Sequence, residues 1–258
     1  MTTYVYDGSF EGLLSCIFEA YRTKTVPETI VEEQCHQFTL LEDVQPVPAD
    51  EGLAARVLTG VDARTEDQAS TLIYKLFLSE LPKVEMLIFH LIAAIIEKSH
   101  VSVLENFASE FILKASQIER MMHREIHRMH AFVRFQKAKE GIFYAAIEPD
   151  FNVLPLIGEH FERRYADQRW VIFDTNRHYG IYYDLTEVQF VTLDNPVFNL
   201  NSGDLKPEIV DDAEKIYQAL WKNYFHAMNI KERKNPKLHL RHVPKRYWKY
   251  LIEKRPLT

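Results

Sequence analysis

Hydrophobic positions along the chain fall into two periods, and the change from one to the other divides it. Phe10, Leu13, Leu14, Ile17, Phe18 and Tyr21 recur at the spacing of one α-helical face. Before them Tyr4-Val-Tyr6 is a short strand, and Asp7-Gly8-Ser9 supplies turn chemistry and a helix cap. Between Thr25 and Val47 the pattern is of short strands or loops, the best being Phe38 to Leu41, closed by Pro46 and Pro48. Helical spacing then holds over Asp50–Thr59, Thr65–Ser79, Lys83–Lys98 and Ser102–His130, with a break at Leu81-Pro82, since proline cannot continue a helix interior.

From Ala131 the period shortens to two. Ala131, Val133 and Phe135 form an apolar face, and Phe132, Arg134 and Gln136 a mixed one. Ile142–Glu148, Arg169–Asp174, His178–Asp184 and Glu187–Leu193 behave likewise, with a helical pattern over Val153–Ala166. Strand, strand, helix and three strands predict an antiparallel sheet with one helix across it. A loop over Asp194–Pro207 leads to a helix over Glu208–Met228, expected to bury Ile209, Ala213, Ile216, Tyr217, Leu220, Tyr224 and Phe225. A basic loop follows over Ile230–Val243, and Pro244 opens a last helix. The class is α+β: a mainly helical region over 1–130, a sheet unit over 131–207, and a basic helical C-terminal region over 208–258 that joins the sheet.

Composition narrows the class. Apolar residues at 47% and charged ones at 26% are ordinary for a globular protein with a full core. The most apolar window, Met86 to Ile96, holds His90 and is too short for a membrane span. With no charged leader before an apolar run, no signal peptide is expected. Two cysteines, Cys16 and Cys35, suit a reducing cytoplasm and cannot by themselves ligate an iron–sulfur cluster. Cys16 lies on the apolar face of the first helix, as a small core residue would.

Charge is distributed unevenly. Residues 221–258 hold eleven Lys/Arg against two acids, a local +9 within a net charge of −6, which leaves −15 on residues 1–220. A second basic island, Arg120 to Lys139, sets six Lys/Arg against one acid. A polyanionic partner would respond to these local fields and not to the net charge. The candidate nucleic-acid contacts are Arg128, Arg134 and Arg169 beside the sheet, and Arg233, Lys234, Asn235, Lys237, Lys245 and Arg246 in the tail. Lys and Arg suit phosphate, while Tyr247 and Trp248 between them offer faces for unpaired bases or for a core. The alternative is that the tail pairs with the acidic remainder of the chain.

Other chemistry is thinner. His123, His127 and His130 share a helical face, but Arg120, Arg124 and Arg128 beside them oppose a cation, so no metal is expected. Asp150, Asp174 and Asp184 sit at strand ends, where catalytic carboxylates are often placed, and with His127 are the candidates for catalysis. Turn capping accounts for such aspartates equally well. There is no phosphate-binding Gly-rich loop, dinucleotide fingerprint, Gly-x-Ser-x-Gly elbow or Cys-x-x-Cys deaminase motif.

Several runs in fixed order carry a family resemblance. Tyr-Val-Tyr-Asp-Gly-Ser-Phe-Glu-Gly-Leu-Leu at 4–14, His-Arg-Met at 127–129 with Phe-Val-Arg-Phe at 132–135, Pro-Asp-Phe-Asn at 149–152, Asp-Gln-Arg-Trp at 167–170 and Pro-Lys-Arg-Tyr-Trp-Lys-Tyr-Leu at 244–251 resemble a bacterial family described as DNA metabolism or DNA repair proteins, built around a domain of unknown function. Its members are typically encoded beside a radical-S-adenosylmethionine protein, and related domains occur fused to a uracil-DNA-glycosylase-like domain that this chain lacks. The resemblance implies a DNA-repair context without an established activity; with the basic regions it leads to the reading of a DNA-binding accessory of DNA repair or modification, with DNA and the radical-S-adenosylmethionine (radical-SAM) enzyme as partners. S-adenosylmethionine and an iron–sulfur cluster are then expected in that enzyme and no cofactor in this chain. A DNA-processing enzyme using the strand-end carboxylates or His127 is the alternative, and a docking protein without DNA affinity a third reading.

The cysteine count yields a first test. Protein purified anaerobically without its partner is expected to carry no stoichiometric iron or sulfide; finding both by elemental and sulfide analysis would overturn the expectation.

Overall fold

The structure, a computed structural model, describes residues 2–35, 43–66, 68–98, 101–193, 197–199, 202–228 and 235–254. The expected strand over Phe38 to Leu41 lies outside them, as do Arg233 and Lys234. The architecture is α+β, in two units, Met1–Met122 and His123–Thr258. Among the described residues no helix is long and apolar enough to cross a membrane.

In the first unit, β1 (Thr2–Tyr6) lies between β2 (Thr29–Glu32) and β3 (Asp43–Pro46), parallel to both. Asp7 turns the chain out of β1, and the Ser9 hydroxyl accepts from Gly12 N to cap α1 (Phe10–Thr23). Leu13, Leu14 and Ile17 of the α1 face are fully buried. α2 (Glu51–Thr65), capped by Asp50, is followed by α3 (Ala69–Phe77), α4 (Val84–Lys98) and the start of α5 (Glu110–Phe132). Ile73 and Leu76 of α3 and Ile88, Leu91 and Ile92 of α4, on helices predicted over these spans, are fully buried as well.

In the second unit five strands pair in the order β4 (Gln136–Lys137), β5 (Phe143–Ile147), β6 (Trp170–Asp174), β7 (Tyr179–Tyr183), β8 (Val188–Val191). The sheet is mixed, not antiparallel as the element order suggested: β5 and β6 run parallel in the register Phe143↔Trp170 to Ile147↔Asp174. α6 (Leu154–Arg164) causes this, because a helical crossover carries the chain back to the end from which it started. Leu154, Ile157 and Phe161 bury the inner face of α6.

Two further expectations are corrected. The strand expected over Ala131–Gln136 shrinks to the two residues of β4, because α5 continues to Phe132 and the Arg134 guanidinium then donates to the Ala131 and Val133 carbonyls at its end. Cations suit that end of a helix, where carbonyls lack partners. The helix expected from Glu208 begins at Glu214, as α7 (Glu214–Met228). Its expected inner face is mostly outside: Ile216 is 62% exposed, Tyr217 and Leu220 59%, and Tyr224 55%. Polar contacts hold α7 instead. The Glu214 carboxylate accepts from Lys137 N, and Trp221 Nε1 donates to Glu253.

The tail follows as α8 (Pro236–His242) and short 3-10 turns over 245–254, and carboxylates fasten those turns into the second unit. Glu125, 1% exposed, has four partners: Tyr247 Oη and Asp150 N donate to Oε1, Arg128 donates to Oε2 at 3.2 Å, and Arg246 forms an ion pair with Oε2 at 3.7 Å. Glu148 accepts from Tyr250 Oη at 2.7 Å and pairs with Lys249. Tyr250 fits because Gly203, at φ +71, has no side chain; a Cβ there would lie 2.5 Å from the Tyr250 ring.

Removing a buried acid leaves its cations unbalanced, which typically costs about 3–5 kcal/mol. Glu125→Gln is therefore expected to destabilise the second unit by about 3 kcal/mol in urea denaturation. Lys245→Gln, at an exposed cation, should stay within about 0.5 kcal/mol of the unmodified protein. Equal effects would remove Glu125 from its structural role.

Candidate functional site

A pocket of about 850 Å³ opens in the second unit beside β4–β6. The end of α5 brings His127 and His130 to its wall, and the chain beyond it Arg134 and Phe135. α6 adds His160, Phe161 and Arg164, with Tyr165 just after. Trp170 comes from β6, and Glu214, Tyr217, Gln218 and Trp221 from α7. α6 packs through 154, 157, 158 and 161, so 160 and 164, one turn apart, fall together at the edge of that buried face.

Aromatic rings make much of the wall. Phe135 meets Phe161, Tyr165 and Trp170 at centroid distances of 5.9, 5.3 and 6.2 Å. His130 stacks on His160 at 3.9 Å and 13°. Two wall residues carry a buried nitrogen with no hydrogen-bond partner, Nε2 of His130 and Nε1 of Trp170. Such groups are costly to leave unsatisfied, and a polar ligand that reached them would relieve that cost.

Charge in the pocket is mainly positive. Arg164 is exposed, with its guanidinium 5.8 Å from the Tyr165 ring and no acid partner among the described residues. Arg134 is held by Glu253 at 2.9 Å and lies 5.4 Å from the Trp221 ring. Burial works to raise the Glu253 carboxyl, yet the Arg134 guanidinium and the Trp221 N–H hold it below the usual range. Glu214, the one acid in the wall among the described residues, is buried and engaged by Lys137 N and Gln218 Nε2. Burial pushes His130 down to about 4, with His160, His127 and His123 adding to the effect, and burial then Arg164 lower His160. At neutral pH these two rings are uncharged acceptors and stacking surfaces.

His127, His130 and Arg134 thus share one pocket, while the other candidate contacts and catalytic residues lie elsewhere. Arg128 is tied to Glu125, and Arg246 to Glu125 and Asp150. Arg169 is exposed and outside the pocket wall. Asn235 caps α8 through Leu238 N, and Lys237 and Lys245 are exposed. The three aspartates do not share a site facing the pocket. Asp174, fully buried, takes the Asn176 and Arg177 amides and the Arg177 guanidinium, which accounts for it as the anchor of the β6–β7 turn. Asp184 is held low by the Thr186 hydroxyl and the Glu187 and Thr186 amides of its own turn. Burial and then Glu125 raise Asp150 against the pull of Arg246. Arg134, a candidate contact beside the sheet, pairs with Glu253. Among the described residues no group of three or more His, Cys, Asp or Glu is arranged to hold a metal ion.

His160, Tyr165, Glu214 and Trp221 were missed from sequence. The available signal was His160 and Arg164 four apart on a helix followed at once by Tyr165; for α7 there was none beyond its aromatic content.

An α+β unit whose helix ends and sheet edge enclose an aromatic, cation-bearing pocket is the class that fold and site define. Residues 82–253 match the family described as DUF4130, a domain of unknown function, and the protein belongs to that family. No curated protein matches the chain.

The histidine pair predicts a pH response. A His whose folded value lies below its ordinary 6.5 is neutral in the native state, while the unfolded chain takes up a proton between pH 6.5 and about 4. Stability of the second unit is therefore complete above pH 6.5 and declines as pH falls toward 4. Thermal melts across that range should show this decline reduced in His130→Phe, and an identical profile in the variant would contradict it.

Proposed function

We propose that the protein is a DNA-binding accessory of DNA repair or modification that holds an unpaired base in this pocket and works with a radical-SAM enzyme. The observation that carries the reading is the pocket: aromatic rings, an uncommitted guanidinium at Arg164, and unpartnered nitrogens on His130 and Trp170 within one wall. Aromatic faces bind any base, at about 1–3 kcal/mol each, and cations hold the adjoining phosphates. A volume of about 850 Å³ exceeds what one nucleobase needs and leaves room for its sugar and phosphate. The repair setting and the partner enzyme rest on the resemblance of the runs at 4–14, 127–135, 149–152, 167–170 and 244–251.

A base-processing enzyme is the second reading, favoured by His127 in the pocket wall. Asp174 and Asp184 are engaged by their own turns and lend it no support. Product formation from a bound oligonucleotide by the isolated protein would decide for it.

Binding is tested by fluorescence anisotropy with a duplex carrying one bulged base and the same duplex fully paired. The bulged duplex is expected to bind more tightly. Arg164→Gln should weaken binding and reduce the salt slope by up to about 0.9 on duplex DNA. His130→Phe keeps the ring stack and removes the unpaired nitrogen; it should weaken the bulged complex by up to about tenfold while stability holds or rises. Equal binding of both duplexes, unaltered by either variant, would overturn the proposal.

A further inference from the structure

We propose that the nucleic acid is a single strand of several nucleotides, stacked along α7 from the pocket toward Trp248. This rests on the pocket reading above and extends it to strandedness and site length. Trp221 belongs both to the pocket wall and to the α7 surface, where its ring lies 5.7 Å from Tyr224 at 31°. Beyond it the Lys254 ammonium sits 4.6 Å from the Phe225 ring and 5.8 Å from that of Trp248, and Trp248 meets His239 at 6.1 Å. A row of rings thus leaves the pocket, with Tyr217 and Tyr224 more than half exposed along it. His239 adds a second observation, a buried Nε2 without a partner at the far end of the row.

The row is also cationic. Lys215 and Lys222 lie on α7, and Lys237, Arg241 and Lys245 in the tail, without an acidic partner among the described residues. Of the two acids in residues 221–258, Glu232 lies outside the described residues and Glu253 is buried against Arg134 and Trp221. A partner must therefore supply negative charge and flat faces together, as an unpaired strand does and a duplex, whose bases are stacked on one another, does not. Ile216, Leu220 and Met228 give α7 an apolar edge that a protein helix would also suit. The exposed Lys215, Lys237, Arg241 and Lys245 beside that edge favour the strand.

The test uses the full chain with labelled oligothymidylates of about fifteen and about three nucleotides, lengths that span and fall short of common single-strand sites. Tyr224 is exposed and its hydroxyl makes no hydrogen bond among the described residues, so Tyr224→Ala leaves the fold intact, checked by thermal melting. It should weaken the long oligonucleotide by about tenfold and leave the short one unchanged, whereas His130→Phe should weaken both. Undiminished binding of the long oligonucleotide by Tyr224→Ala, with both still sensitive to His130→Phe, would overturn the track and spare the pocket. Failure of the unmodified protein to bind either one would overturn both readings. Self-association in sedimentation that Tyr224→Ala abolishes, with oligonucleotide affinity unchanged, would replace the strand by a second copy of the chain.

Discussion

The Glu125 carboxylate is the constraint on which the second unit turns. A buried acid is tolerable only when every lone pair has a donor, and Glu125 receives a tyrosine hydroxyl, a backbone amide and two guanidiniums. These four come from three places: α5 itself, the loop after β5, and the C-terminal turns. One side chain therefore fixes the end of α5, whose next residues are the His127 and His130 of the pocket, against the loop at Asp150 and the segment around Tyr247. Glu253 repeats the device one layer away, where its ion pair with Arg134 and its hydrogen bond from Trp221 hold α7 against the chain after α5. The pocket is the space left between α6, which apolar packing holds to the sheet, and α5 and α7, which carboxylates fasten.

This arrangement changes what the basic tail is. By charge alone its eleven cations resemble a free polyanion-binding segment. In the structure Arg246 and Lys249 are neutralised by Glu125, Asp150 and Glu148, and the Tyr247 and Tyr250 rings are buried. The proposed intramolecular pairing and the proposed phosphate binding are therefore not rivals over the whole tail. They divide it: Arg246 and Lys249 fasten the segment, and Lys237, Arg241 and Lys245 remain exposed.

Much of the fold was legible because it is local. The α1 period, the Ser9 cap and the Leu81-Pro82 break all depend on residues a few positions apart, and all appear. The strand directions were not, since the pattern within β5 and β6 is the same whether they run parallel or antiparallel; only the path of α6 decides. α7 failed for a different reason. Its apolar period is real, but periodicity says that a face exists and not which side of the helix meets the body, and Glu214 and Trp221 made that choice through hydrogen bonds. Of the site, His127 and Arg134 were visible as a basic, aromatic run. The partner of Arg134 lies 119 residues away, and neither spacing nor composition could select Glu253 among the chain's acids.

Magnitudes decide which group of residues would carry the proposed recognition. Each exposed cation that meets a phosphate contributes a term that falls with salt, and ion pairs at the surface are individually worth about 0–1 kcal/mol. A base on an aromatic face is worth about 1–3 kcal/mol and is largely insensitive to salt. With Arg128, Arg134 and Arg246 committed to carboxylates, fewer cations remain than the sequence counts, while the rings of Tyr217, Trp221 and Tyr224 are exposed. Binding built on this surface should then be carried more by stacking than by charge. That balance favours an unpaired strand, whose bases are free to stack, over a duplex that offers mainly its phosphates.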